Sequence, residues 1–333
     1  MPAMDLDRTL VLAYTPPYDW PAMISFLAAR AIPGVEVVEA GGYRRTIEID
    51  GRHGTIEVAP TSGRDALSAT IRFPNVGSLQ SIVARIRRWL DLDADIATIG
   101  ERLAADELLA PLIAARPGLR VPGAWDGFEL AVRAVLGQQI TVAAARQLAG
   151  RLVAAHGEHL ALTDAPNGLT AVFPRPSQLA IADLASLGMP GARARALESL
   201  ASTAAGDPRL FDRDQDLDGA VARLKALPGI GEWTAQYIAM RVLREPDAFP
   251  AADIGLLRAM TDAAGRRPTP AELLDRAEAW RPWRAYAAQH LWTPAPSRNH
   301  IDRRRSHDGP RRNVPPAPRS RPAAAPGQCV GCG

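Results

Sequence analysis

Two parts of the 333-residue chain could carry chemistry: the segment Leu227-Pro-Gly-Ile-Gly-Glu-Trp-Thr-Ala-Gln-Tyr237, and Asp253, which lies 22 residues beyond the second glycine of that segment. A helix, a Gly-x-Gly turn and a second helix make a helix–hairpin–helix. Gly229 and Gly231 let the backbone approach a phosphate, and the second helix offers its free first-turn amides and positive dipole end to the same anion. Such a contact ignores base sequence. Taken alone, the turn could equally do no more than join two helices. Asp253 sits in Phe249-Pro-Ala-Ala-Asp-Ile-Gly-Leu-Leu-Arg258, where an aspartate reads first as a cap that bonds backbone amides. The same amides suit a carboxylate that must stay negative beside a cation. One intervening helix, over about 232–244, would bring Asp253 back to the phosphate-facing side of the hairpin.

Other chemistries find less support. Lys225 is the only lysine, so a mechanism with a lysine nucleophile has one candidate, and its place before the hairpin reads as solvated surface. His53, His156 and His290 form no metal-ligand spacing, and His290 reads as a packing or hydrogen-bonding residue. Cys329 and Cys332 are half a zinc site, and two cysteines exclude both a disulfide scaffold and a four-cysteine iron–sulfur cluster. Arg193 and Arg195 could meet phosphate or lie on a solvated helix face.

The elements that must position these residues fall into three regions. Residues 1–93 read as an antiparallel sheet with helices: β-rich runs over 9–14, 35–38, 43–49, 55–58 and 69–73, a hairpin at Asp50-Gly51 between two alternating runs, a helix over 21–30 and a second one capped by Ser78. Residues 94–293 read as all-α, with the strand signal gone. Asp126 and Thr141 cap helices there, and further helices cover about 178–187, 191–204, 217–226, 232–244, 254–263 and 270–279. Residues 294–333 are rich in Arg and Pro and read as a disordered tail. That tail holds eight arginines against two aspartates, whereas the rest has 31 basic and 34 acidic side chains. The isoelectric point of about 9.2 therefore reflects the tail, not the body. No run approaches the roughly 18 apolar residues that span a membrane, and the start lacks a basic-then-apolar leader pattern. A soluble cytoplasmic protein with no membrane partner is expected.

Leu227-Pro-Gly-Ile-Gly followed by Asp253 resembles the helix–hairpin–helix, Gly/Pro-rich, aspartate signature of the base-excision DNA glycosylase superfamily. Within it the chain is similar to the DNA-3-methyladenine glycosylase II family, the alkylation-inducible bacterial type. The likeness is carried by Pro16-Pro-Tyr-Asp-Trp20, Phe26-Leu-Ala-Ala-Arg30, Ala115-Arg-Pro-Gly-Leu-Arg-Val-Pro-Gly123, Ala134-Val-Leu-Gly-Gln-Gln-Ile140, Leu187-Gly-Met-Pro-Gly191, Trp280-Arg-Pro-Trp-Arg-Ala-Tyr286 and His290-Leu-Trp292. These span roughly residues 10–292. The resemblance implies an α+β protein: a sheet domain like one half of a TATA-binding-protein fold, then helical subdomains flanking a cleft.

The resemblance further implies a monofunctional glycosylase that flips and hydrolytically releases alkylated bases, 3-methyladenine and related ones, from duplex DNA, working as a monomer. Asp253 becomes the catalytic carboxylate that stabilises an oxocarbenium-like sugar. Trp233, Tyr237 and Trp292 become the faces that receive a cationic base, and Gln138 a polar pocket residue. Gln139 becomes the wedge that fills the vacated stack, here with a polar amide. Gly229, Gly231, Trp233 and Thr234 become DNA contacts. Bifunctional members place a Schiff-base lysine where Trp233 stands. No cofactor is required, although main-chain carbonyls of Lys225, Leu227 and Ile230 could hold a structural monovalent cation. Two other readings remain open on the residues alone: a non-catalytic hairpin module that only binds DNA, and a bifunctional glycosylase/lyase relative.

Overall fold

The structure, a computed structural model, describes residues 6–160, 162, 166–212 and 216–293. The tail, with Cys329 and Cys332, lies outside the described residues.

Strands β1 (Leu6–Ala13), β2 (Glu36–Glu39), β3 (Gly42–Ile49), β4 (Arg52–Pro60) and β5 (Ala66–Phe73) form one antiparallel sheet in the order β1-β5-β4-β3-β2. The β3–β4 connection is the two-residue turn Asp50-Gly51, with φ of 51° and 74°. Both central residues are left-handed, as the twist of a tight hairpin demands. Alternation then aims Leu67, Ala69, Ile71 and Phe73 of β5 inward, onto helices α1 (Trp20–Arg30) and α2 (Leu79–Trp89). Met23, Leu27, Ile82, Ile86 and Trp89 complete that core. Ser78 does precede α2, but its side chain makes no capping bond. A single tight turn, Val76–Ser78, comes first, and Asn75 caps it by accepting the Gly77 amide at 3.0 Å.

The rest of the described chain is helical: α3 (Ile96–Leu103), α4 (Ala110–Ala115), α5 (Gly127–Leu136), α6 (Val142–His156), α7 (Pro176–Leu179), α8 (Gly191–Gly206), α9 (Leu217–Lys225), α10 (Glu232–Ile238), α11 (Ile254–Ala259), α12 (Pro270–Ala277) and α13 (Arg284–Trp292). Asp126 and Thr141 cap α5 and α6 through the amides of Glu129 and Ala144. One small ladder departs from the helical expectation, β6 (Glu158–His159) against β7 (Ala171–Val172). Two-residue strands are too short to show alternation. Helix α13 also escapes a reading by periodicity, because every residue from Arg284 to His290 is buried. A helix enclosed on all sides has no polar face to mark its period.

Helices α5, α6 and α8–α10 pack on one another, while α13 packs on α4 and α11. Buried charges fasten the sheet to this helical body. Arg45 of β3 meets Glu129 of α5 at 2.5 Å, and Arg133 bridges Glu129 at 2.6 Å and Glu36 of β2 at 2.5 Å. Asp91, just after α2, accepts Arg244 at 2.5 Å, Tyr286 of α13 at 3.0 Å and the Val121 amide at 3.2 Å. No helix among the described residues is long and apolar enough to cross a membrane.

Candidate active site

Asp253 occupies the N-cap position of α11, where its Oδ1 accepts the amides of Gly255 at 2.7 Å and Leu256 at 3.0 Å. The cap reading is therefore correct, and it is only half of what the residue does. Trp292 Nε1 donates to Oδ1 at 2.8 Å, and Trp233 Nε1 donates to Oδ2 at 2.9 Å. Oδ1 is saturated by three donors. Oδ2 keeps a lone pair, and the residue lines a cavity of about 1480 Å³. Among the described residues no cation pairs with Asp253.

Gly255 makes this arrangement fit. A Cβ there would lie 2.9 Å from Asp253 Oδ1 and 3.1 Å from the Trp292 ring. Its only sequence signal is a glycine in the first turn of a helix, where propensity disfavours it.

The cavity gathers side chains from seven helices, α1, α2, α5, α6, α10, α11 and α13. Trp233 and Tyr237, one turn apart on α10, stack with centroids 5.4 Å apart and planes 13° apart. Trp292, from the end of α13, meets Tyr237 edge-on at 6.4 Å. All three are half-buried in the wall rather than enclosed in the core. Trp280, 1% exposed, shows what a core indole looks like in this fold.

Gln138, past the end of α5, donates its amide to the Gly229 carbonyl at 2.9 Å and to Thr234 Oγ1 at 3.0 Å. It thereby ties the hairpin to α5 while lining the cavity. Arg193, instead of standing free, donates to the Gln138 main-chain carbonyl at 2.6 Å. Arg195 is exposed on α8. Gln139 is exposed at the cavity rim with φ of 58°, a left-handed backbone that is unusual for a residue with a side chain. Thr234 is buried, so the hairpin presents its first-turn amides rather than that hydroxyl.

The two hairpin glycines differ. Gly229 has φ of 80°, and a Cβ there would stand 2.4 Å from that of Ala196 on α8. Gly231 is exposed, and a Cβ there would meet open space. Leu227 and Ile230 bury their side chains beneath the turn, and the Leu227 carbonyl accepts the Ile230 amide at 3.1 Å. Lys225 is exposed and pairs with Glu232 at 2.6 Å, outside the cavity wall.

Arg241, Arg30 and Phe26 also line the cavity, and reasoning from motifs does not single them out as site residues. Phe26 and Arg30 had a signal only as the ends of a segment that carries the resemblance, and Arg241 only in its place one turn past Tyr237. Among the described residues no histidine lines the cavity. Burial first, then the Arg116 charge, hold His290 down to about 4, so it is a neutral buried ring. Among the described residues no group of three His, Cys, Asp or Glu is placed to hold a metal.

Comparison with known proteins covers both halves of the chain. A family model described as the AlkA N-terminal domain matches residues 9–126, and the model of the HhH-GPD superfamily base excision DNA repair protein matches residues 132–285. The DNA-3-methyladenine glycosylase 2 of Escherichia coli (strain K12) is 37% identical over 284 residues, which cover 84% of this chain and 95% of that protein. A probable bifunctional transcriptional activator/DNA repair enzyme AlkA of Mycobacterium tuberculosis (strain CDC 1551 / Oshkosh) is 41% identical over 86% of this chain, which spans 56% of that relative's length. Among solved structures, the 3-methyladenine DNA-glycosylase from Archaeoglobus fulgidus superposes with a TM-score of 0.73 at 22% identity, over 86% of this chain and 97% of that one. That likeness is one of fold.

Proposed function

The chain belongs to the DNA-3-methyladenine glycosylase 2 family, and we propose on that premise that it is a monofunctional glycosylase that releases alkylated bases, 3-methyladenine and related ones, from duplex DNA. The observation that carries the reading is a carboxylate, Asp253, held by two indole N–H groups and two backbone amides at the wall of a cavity large enough for a base.

The chemistry follows from where charge develops. An N-alkylated purine is already cationic and leaves readily, so catalysis consists mainly of stabilising the positive sugar as the N-glycosidic bond breaks. A fixed carboxylate whose donors are already in place costs little reorganisation at that moment. The bond pair leaves with the base, water adds to the sugar carbon, and its proton passes to solvent. Flipping the nucleotide costs a few kcal/mol, least for a damaged pair. Gln139, exposed and already in a left-handed conformation, would enter the vacated stack. Trp233, Tyr237 and Trp292 would receive the base, at about 0.5 to 2 kcal/mol per electron-rich face for a cation. Gln138 would present its remaining amide oxygen.

The hairpin would anchor one DNA phosphate through the first-turn amides of α10. Main-chain carbonyls of Lys225, Leu227 and Ile230 would hold a monovalent cation there, since the Leu227 oxygen keeps a lone pair after accepting the Ile230 amide. That cation would add positive charge beside the phosphate. The anchor predicts different outcomes at the two glycines. Gly229→Ala should destabilise the fold by at least about 2 kcal/mol, from left-handed strain and the clash with Ala196. Gly231→Ala should leave the melting temperature unchanged yet weaken binding to abasic-site DNA, because its methyl would occupy the space the phosphate needs. Equal melting temperatures for the two variants would refute the structural half, and undiminished DNA binding by Gly231→Ala the functional half.

Incubation with methylated duplex DNA followed by chromatography of the freed bases tests the activity. Released 3-methyladenine is expected, and no base after many hours would leave only a DNA-binding module. Borohydride added during turnover should trap no covalent adduct, because Trp233 stands where a Schiff-base lysine would be needed and Lys225 is paired with Glu232 at the surface. A stable adduct would make the enzyme a lyase. We further place the protein in the cytoplasm, acting as a monomer.

A further inference from the structure

Arg241 lies in the irregular turn Ala239–Leu243 that continues α10, and it is 1% exposed while lining the cavity. Its guanidinium carbon stands 4.6 Å from the ring centroid of Phe26, 4.8 Å from that of Tyr237 and 5.6 Å from that of Trp292. Nη1 donates to the Pro122 carbonyl at 2.7 Å and Nη2 to Gln289 Oε1 at 3.3 Å, while Nε has no hydrogen-bond partner among the described residues. No carboxylate among the described residues pairs with it. Burying a guanidinium without a counter-ion is costly, and burial depresses its pKa. Its field is nevertheless felt: burial pushes the Tyr237 phenol up, but Arg241 and Arg30 outweigh that and hold it below its usual range.

The same aromatic group touches both charges. Trp292 donates its Nε1 to Asp253 and turns its ring toward Arg241, and Trp233, which holds the other Asp253 oxygen, stacks on Tyr237. The cavity lining therefore combines a carboxylate with a guanidinium buried behind the aromatic rings.

We propose that Arg241 is a specificity-determining residue that sets the balance between neutral and cationic lesion bases. The inference rests on the glycosylase reading above. When the C1′–N bond breaks, its electron pair goes to the base nitrogen and positive charge moves to the sugar. A cationic purine departs neutral; a neutral one departs as an anion that takes a proton from solvent. In both cases the base becomes more negative beside Arg241 and the sugar more positive beside Asp253. The bound ground states differ, because the guanidinium repels a cationic base before cleavage and leaves a neutral base unpenalised. The pocket thus accepts neutral lesions with acceptor edges, such as hypoxanthine, on better terms than its aromatic faces alone would give.

The test compares the wild-type protein with Arg241→Met and Arg241→Lys on duplexes carrying one 7-methylguanine or one hypoxanthine, under single-turnover conditions. For Arg241→Met, release of hypoxanthine at saturating enzyme should slow by about tenfold with little change in half-saturation, the size expected of one partly screened charge. On 7-methylguanine the half-saturating concentration should fall by a comparable factor, so the two substrates separate in binding. Arg241→Lys keeps the charge but not the planar fork and should restore the wild-type pattern. Identical changes on both duplexes, no change on either, or a lysine variant that behaves like methionine would overturn the proposal and reduce Arg241 to a link between Pro122 and Gln289. Wild-type protein that frees neither base would instead remove the glycosylase reading, and this inference with it.

Discussion

Asp253→Asn should release alkylated bases about a thousandfold more slowly than the parent while still binding abasic-site DNA. A carboxylate about 4 Å from a developing cation is worth roughly 4 kcal/mol at an effective dielectric of about 20, which corresponds to about three orders of magnitude in rate. The amide is nearly isosteric, so the fold should barely notice. Its oxygen can take the Oδ1 position and keep the amides of Gly255 and Leu256 and the Trp292 donor. The amide nitrogen would then face Trp233 Nε1, which now reaches Oδ2 at 2.9 Å. One donor opposing another costs about 1–3 kcal/mol if the group stays dry, so the melting temperature should fall by only a few degrees. Single-turnover base release, binding to abasic DNA and a thermal melt measured on one preparation separate the possibilities. Undiminished release would end the assignment of Asp253, whereas loss of release together with DNA binding would place the defect in the architecture of α11.

Glu129→Met should destabilise the protein by about 3–5 kcal/mol at neutral pH, the usual consequence of removing one member of a buried ion cluster. Glu129 is 5% exposed and serves two guanidiniums, Arg45 at 2.5 Å and Arg133 at 2.6 Å. Arg133 would retain Glu36, but Arg45 would be left with the Thr46 carbonyl at 3.0 Å and no carboxylate. Burial alone would raise the Glu129 pKa, yet Arg45 and then Arg133 outweigh it and hold the carboxyl below its usual range. A depressed acid contributes stability above its unfolded pKa and loses it as pH falls through the folded value. The gap between parent and variant should therefore be full at neutral pH and shrink only well into the acid range. Asp126, capping the same helix, runs the other way because burial raises its pKa, and the parent–variant difference cancels its contribution. Denaturant unfolding from pH 7 downward reads this directly. A difference below about 1 kcal/mol at neutral pH would mean that the cluster is wet and contributes little to joining the sheet to α5.

Much of the fold could be read locally. The Asp50-Gly51 turn, the caps at Asp126, Thr141 and Asp253 and the inward row of β5 are set by neighbours two to four residues away, so their spacing alone declares them. The cap of α2 could be misread because Ser78 has the right side chain and the wrong backbone, and Asn75 does the work one turn earlier. Helix α13 was hidden because enclosure erased its periodicity. The site divides in the same way. Asp253 and the hairpin glycines were legible as a pair, and Trp233, Tyr237 and Trp292 were legible through resemblance. That the two indoles hold the two oxygens of one carboxylate was not, since Trp292 lies 39 residues beyond Asp253.

By itself, then, the sequence determined most of the elements, their order and the residues able to bind a phosphate or stabilise a cation, because caps, turns and alternation act over a few residues. Only the tertiary structure decided which groups meet. It brought Glu36, Arg45, Glu129 and Arg133 into one buried cluster, set Gly255 where a side chain would strike Asp253, and sealed Arg241 beneath the aromatics with no carboxylate partner among the described residues. Charges buried at such distances along the chain are paired or left alone by packing, and packing leaves no periodic mark on the residues that undergo it.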